Sequence, residues 1–130
     1  MRRETPQLLL IEEDPLLMEI TAFRLELLGY ELVKAETAEK ALEWLQNNSP
    51  TLVIVDQFLS GMDGLEFLNR ISNDIRTSEI PVIFLSVNAD LEEVQKAYNA
   101  GADDFLVIPY DPVVLEAKVE RLLTAAECAG

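Results

Sequence analysis

The chain has 130 residues, with ten lysines and arginines against 24 aspartates and glutamates, a net charge of −14. At 49% hydrophobic residues it has the apolar material for one well-buried domain, which excludes a disordered chain. Its negative field repels phosphate backbones and anionic lipid, so direct binding to nucleic acid or to a membrane is not expected.

Histidine is absent and Cys128 is the single cysteine. Internal disulfides, ordinary zinc sites and histidine-based acid–base chemistry are therefore excluded. The N-terminus reaches only the short apolar run Leu8 to Ile11 before Glu12. That run is too short for a signal peptide or a membrane span, and the chain reads as cytoplasmic.

In chain order, Leu8 to Ile11 predicts a first buried strand. Asp14 before Pro15 fits a helix N-cap with proline in the first turn. Leu16, Leu17, Ile20, Phe23, Leu27 and Leu28 then recur at helical spacing, and Gly29 closes the helix. Tyr30 to Ala35 is a second strand, less apolar and so placed at an edge. Thr37 caps a helix through Asn47, with Ala38, Ala41, Leu42 and Leu45 on one face and Trp44 on its flank.

Leu52 to Val55 is a charge-free run suited to a strand buried on both faces, and Asp56 ends it. Turn chemistry follows from Leu59 to Gly64, then helical spacing from Leu65 to Ile71. Ile80 to Leu85 is a fourth strand ending at Ser86, and Asp90 caps a helix carrying Leu91, Val94, Ala97 and Tyr98. Phe105 to Ile108 is a fifth strand. The last helix carries Val114, Leu115, Val119, Leu122 and Leu123. Five βα units predict an α/β fold, a parallel sheet with helices on both faces.

In such a sheet the residues after each strand share one edge, with neighbouring strands about 5 Å apart. Glu12 and Glu13 after the first strand, Asp56 after the third and Ser86 after the fourth therefore converge on a common pocket. Carboxylates so grouped repel unless a cation joins them, and a hard-oxygen set suits magnesium. Read more plainly, Glu12 and Asp14 only favour the positive end of the first helix.

Glu12-Glu13-Asp14-Pro15, Val55-Asp56, Gly61-Met62-Asp63-Gly64, Leu85-Ser86 and Ala100-Gly101-Ala102-Asp103-Asp104-Phe105 together resemble the receiver (CheY-like) domain of bacterial two-component response regulators. The likeness runs from about residue 7 to 123 of one domain that takes in residues 1–130. It implies a flavodoxin-like, doubly wound (βα)5 fold with strand order 2-1-3-4-5.

It also implies roles. Asp56 matches the acceptor of a phosphoryl group from a histidine kinase or phosphotransfer protein. Glu13 matches a direct magnesium ligand, Glu12 one acting through water, and Phe58 the residue whose backbone carbonyl completes the metal site. Ser86 matches the hydroxyl that contacts the phosphoryl group, and Phe105 the aromatic that changes rotamer on activation. Pro109 matches a cis-proline. The resemblance makes the chain a signalling module rather than an enzyme, working alone or with an output domain or effector. Homodimerisation through the fourth and fifth βα units is also implied, where Glu93, Lys96, Asp103, Asp104, Lys118 and Arg121 lie. By themselves those charges read as a solvated face.

One departure stands out. The family carries a lysine before that proline, and here the position is Ile108. Isoleucine has no cation to offer the pocket, so the expectation is a retained phosphoacceptor with an impaired or altered switch. Ser60 in place of a common proline, and Glu-Glu where aspartate is usual second, are lesser departures. The competing reading is a phosphorylation-independent interaction module. An enzyme of the haloacid-dehalogenase type needs a second aspartate where Phe58 stands, and a flavodoxin would not place Glu12-Glu13-Asp14-Pro15 at its phosphate loop.

Overall fold

The computed structural model describes residues 5–129. Residues 1–4 and 130, and the side chain of Cys128, lie outside the described residues. Strands β1 (Gln7–Ile11), β2 (Glu31–Ala35), β3 (Leu52–Asp56), β4 (Val82–Ser86) and β5 (Asp104–Val107) alternate with helices α1 (Pro15–Leu27), α2 (Ala38–Leu45), α3 (Gly64–Ser72), α4 (Leu91–Ala100) and α5 (Pro112–Ala129). All strand pairs are parallel, in the order β2-β1-β3-β4-β5. The order reverses between β1 and β3, so a crevice forms at their carboxyl ends.

The central strands sort their side chains by the two-residue period of a pleated strand. Leu9, Ile11, Val53, Val55 and Phe84 face α2, α3 and α4, packing on Ala41, Phe67, Leu68 and Ala97. Leu8, Leu10, Leu52, Ile54, Ile83 and Leu85 face the other way, onto Met18, Ala22, Leu25, Leu115 and Val119 of α1 and α5. Burial on both faces is why β1, β3 and β4 read as unbroken apolar runs. Strand β2 is one edge of the sheet, half-exposed along most of its length, and β5 is the other.

Four helices start on side-chain caps, the last on Asp111, whose Oδ1 accepts Val113 N at 2.9 Å before α5. Asp14 accepts from Leu16 N at 2.9 Å, Thr37 from Lys40 N at 3.0 Å and Asp63 from Glu66 N at 2.9 Å. Each is worth about 1 kcal/mol. Asp90 precedes α4 but makes no side-chain cap bond; its own N–H donates to Asn88 Oδ1.

The largest difference from the sequence reading concerns α1. The residues it buries are Met18, Thr21, Ala22 and Leu25, while Leu16, Phe23 and Leu27 stand 68%, 60% and 70% exposed. The helix is apolar nearly all the way round, so two stripes satisfy the helical period and only tertiary packing selects between them. The same holds in milder form for α4, where Ala97 is buried but Leu91 and Tyr98 are exposed. In α5, Leu115, Val119 and Leu123 are buried and Val114 faces solvent. No helix of the described residues is long and apolar enough to cross a membrane.

Candidate functional site

The pocket begins with register. Ile11 lies beside Val55, so the next residues, Glu12 and Asp56, stand abreast where β1 and β3 reach the crevice. Both are buried, 3% and 7% exposed. Glu12 N–H donates to Ala35 O at 3.1 Å, which holds its backbone in line with the sheet. Its Oε2 accepts Asp14 N at 3.1 Å, whereas its Oε1 is buried without a partner. Asp56 Oδ1 accepts Phe58 N at 3.0 Å, and the Phe58 ring is turned to solvent.

Burial dominates the ionisation of this pair. Removal from water, joined by the negative charge of Asp56, pushes Glu12 up to about 7 against the pull of the Asp14 N–H. Burial raises Asp56 as well, opposed by the Phe58 N–H. Burial thus favours the protonated form at this pair.

Glu13 turns the other way. Its carboxylate accepts Ser60 N at 3.1 Å and also the Ser60 hydroxyl, fastening the loop after β3. A second carboxylate, Glu39 of α2, accepts Met62 N at 2.9 Å and fastens the same loop two residues on. Where the loop enters α3, Gly64 N donates to Gln57 O at 2.9 Å. A Cβ on Gly64 would lie 2.3 Å from Asp56 O, so only glycine lets the start of α3 close against the end of β3.

Ser86, fully buried, bonds through its hydroxyl to Gln57 Oε1 and accepts Asn88 N at 3.0 Å. Gln57 and Ser60 are the partners the sequence reading missed, because neither residue type nor spacing says which way a loop side chain turns. Phe105 is half-buried, its ring 6.0 Å from that of Phe84 at 39°. The Ile108–Pro109 peptide bond is cis. Ile108 is half-buried on the α1/α5 side of the core and lines an apolar groove with Ile20, Pro112 and Leu115. Beyond it, the Tyr110 hydroxyl bonds Thr21 Oγ1 at 2.9 Å and ties that loop to α1.

Among the described residues no three carboxylates converge as a ready metal cluster. What the donors do offer is two abreast carboxyls with an orphaned buried oxygen, Glu12 Oε1, which a cation or its bound water can satisfy. That chemistry fits a hard cation held by one or two carboxylates and water. Beside it, a cleft of about 360 Å³ is lined by Glu12, Glu13, Glu19 and Glu36, with Lys34 of β2 as the cation among its lining residues.

With this geometry in view, the decisive likeness is to the response regulator receiver domain, whose family model matches residues 8–120. The chain belongs to that family. The transcriptional regulatory protein AfsQ1 of Streptomyces coelicolor is 34% identical over 122 residues, 94% of this chain and 53% of its own length. The DNA-binding dual master transcriptional regulator RpaA of Synechocystis sp. is 30% identical over 118 residues, 91% of this chain and 49% of RpaA. The chain spans about half the length of these curated relatives. A CheY-like receiver domain protein from Methanospirillum hungatei superposes with a TM-score of 0.91 at 28% identity, over 98% of this receiver and 100% of that chain. The receiver is thus a signalling domain of the two-component type, with a five-stranded parallel sheet.

Proposed function

We propose that this receiver takes a phosphoryl group on Asp56 from a histidine kinase or phosphotransfer protein, and that its switch is altered by Ile108. The observation that carries the reading is the Glu12–Asp56 pair, buried and abreast, with Glu12 Oε1 lacking any partner. In the transfer, the phosphorus–nitrogen bond to the donor histidine breaks as a bond from an Asp56 carboxylate oxygen to phosphorus forms. Asp56 is positioned for this by the Phe58 N–H on Oδ1 and by the close approach of Gly64 to its backbone.

Magnesium would be held by Asp56, Glu13 and the Phe58 carbonyl, with Glu12 acting through water. When bound, a divalent cation neutralises charge at the carboxylates and at the transferred oxygens. For Glu13 to serve, it must leave Ser60, and for Ser86 to meet a phosphoryl oxygen, it must leave Gln57. Glu13 would give up two hydrogen bonds from Ser60 for the cation, and Ser86 would exchange one neutral hydrogen bond for a charge-assisted one. Ile108 contributes no such bond, so the pull on the β5–α5 loop that a lysine would exert is missing.

A second reading is favoured by one specific observation. Ile108 packs into the apolar α1/α5 side of the core, as befits a module that binds partners without phosphorylation. Intact-mass spectrometry after incubation with phosphoramidate and magnesium separates the two. The first reading expects one added phosphoryl group, lost in Asp56→Asn. No addition under conditions that modify a lysine-containing receiver supports the second.

A further inference from the structure

The face of α1 turned from the sheet carries Leu16, Ile20, Phe23 and Leu27, which are 68%, 48%, 60% and 70% exposed. Their spacing of four, three and four residues follows the alternating four-and-three pattern of a coiled-coil seam. Together they present on the order of 400–500 Å² of contiguous apolar surface, the size of the largest patch on an ordinary monomer, which is often a functional one. The surface continues past Ile20 into the groove of about 170 Å³ where Ile108 lies, so the missing lysine extends it.

We propose that α1 is a self-association surface on which two copies of this chain pair in parallel about a two-fold axis. The flanking charges select both the occupant and its direction. With Leu16 and Phe23 at the d positions and Ile20 and Leu27 at a, Glu19 and Glu26 occupy g and Arg24 occupies e. In a parallel pair each g residue meets the residue five further along the other helix, so Glu19 meets Arg24 of the second copy, twice by symmetry. In an antiparallel pair Glu19 would meet Glu26, a repulsion. Arg24 bonds Glu116 of its own chain through Nε at 2.7 Å yet remains 41% exposed, and its remaining N–H donors can take a second carboxylate. The seam falls short of the roughly 800 Å² per partner of a standard interface, so the dimer is weak.

Sedimentation velocity on the full chain, from low micromolar to near-millimolar concentration, tests this. The expected result is a concentration-dependent dimer whose dissociation constant rises about 30-fold or more in Phe23→Glu, a fully solvated substitution in the monomer. Leu91→Glu, on the exposed face of α4, is expected to leave the dimer unchanged, and circular dichroism to show every variant folded. In a Cys128→Ser background, oxidised Ile20→Cys is expected to cross-link, because a parallel seam sets the two copies of residue 20 side by side. A chain monomeric at the highest concentration overturns the proposal and leaves the stripe to a different protein. A dimer indifferent to Phe23→Glu overturns it in favour of another face. A dimer in which Ile20→Cys does not cross-link overturns the parallel pairing.

Discussion

Glu12 and Asp56 stand abreast at the ends of neighbouring parallel strands, and burial lifts both carboxyls above their ordinary values. Glu12 rises from an ordinary 4.5 to about 7, chiefly because it is buried. The folded chain therefore binds more protons than the unfolded one between those values, and stability falls as pH rises through them. The stabilisation is complete below about 4.5, amounts to about 3 kcal/mol, and is gone by about pH 8. Urea unfolding across this range, without divalent cations, checks it. Glu12→Gln should flatten the slope and exceed the parent by about 1–3 kcal/mol at the alkaline end.

Gly64 closes on the backbone of Asp56 so tightly that a methyl group has no room. Gly64→Ala should cost about 2–4 kcal/mol, since the obstruction is backbone and not a flexible side-chain end. The same variant should lose metal binding at Asp56 more than its stability loss explains. Thermal unfolding and calorimetric titration with magnesium read the two effects separately.

Asp104 behaves oppositely to Glu12. Burial alone would raise it, but hydrogen bonds from Lys118, at 2.9 Å, from its neighbour's Phe105 N–H and from Arg121 outweigh that and hold it below the usual range. A depressed carboxylate stabilises the fold above its unfolded value of about 3.9, and the contribution is lost as pH falls through the folded value. Asp104→Asn should cost about 1–3 kcal/mol at pH 7, discounted because Arg121 is largely exposed and regains water. Below about pH 3 the difference from the parent should shrink.

Ile108→Lys returns a cation to the end of β5. It should lower the titration midpoint of Glu12 by about one unit or more, because an ammonium near the carboxylate pair favours its charged form. Carboxyl-carbon NMR titration of the variant and the parent measures this directly. An unchanged midpoint would mean that the side chain stays in the α1/α5 groove.

Much of this was legible beforehand, for a physical reason. The runs Leu8–Ile11, Leu52–Val55 and Ile80–Leu85 are sandwiched between helix layers, and sandwiched strands announce themselves by composition. The residues ending those runs then had to share an edge, which brought Glu12, Asp56 and Ser86 together. What stayed hidden was orientation. Leu16, Ile20, Phe23 and Leu27 read as the core side of α1, because their period matches that of Met18, Ala22 and Leu25 on the opposite side. The hold of Ser60 on Glu13 and of Gln57 on Ser86 depends on loop rotamers that carry no sequence period.

The account rests on a pocket that takes a cation and a phosphoryl group at Asp56 without its lysine. A two-dimensional amide NMR titration with magnesium and beryllofluoride, with Asp56→Asn as control, tests that most directly. The account predicts large shifts at Glu12, Glu13, Asp56, Ser60 and Ser86 in the parent, absent from the control, with weaker spread to Phe105 and α4 than in Ile108→Lys. A parent spectrum that does not respond to either addition would contradict it.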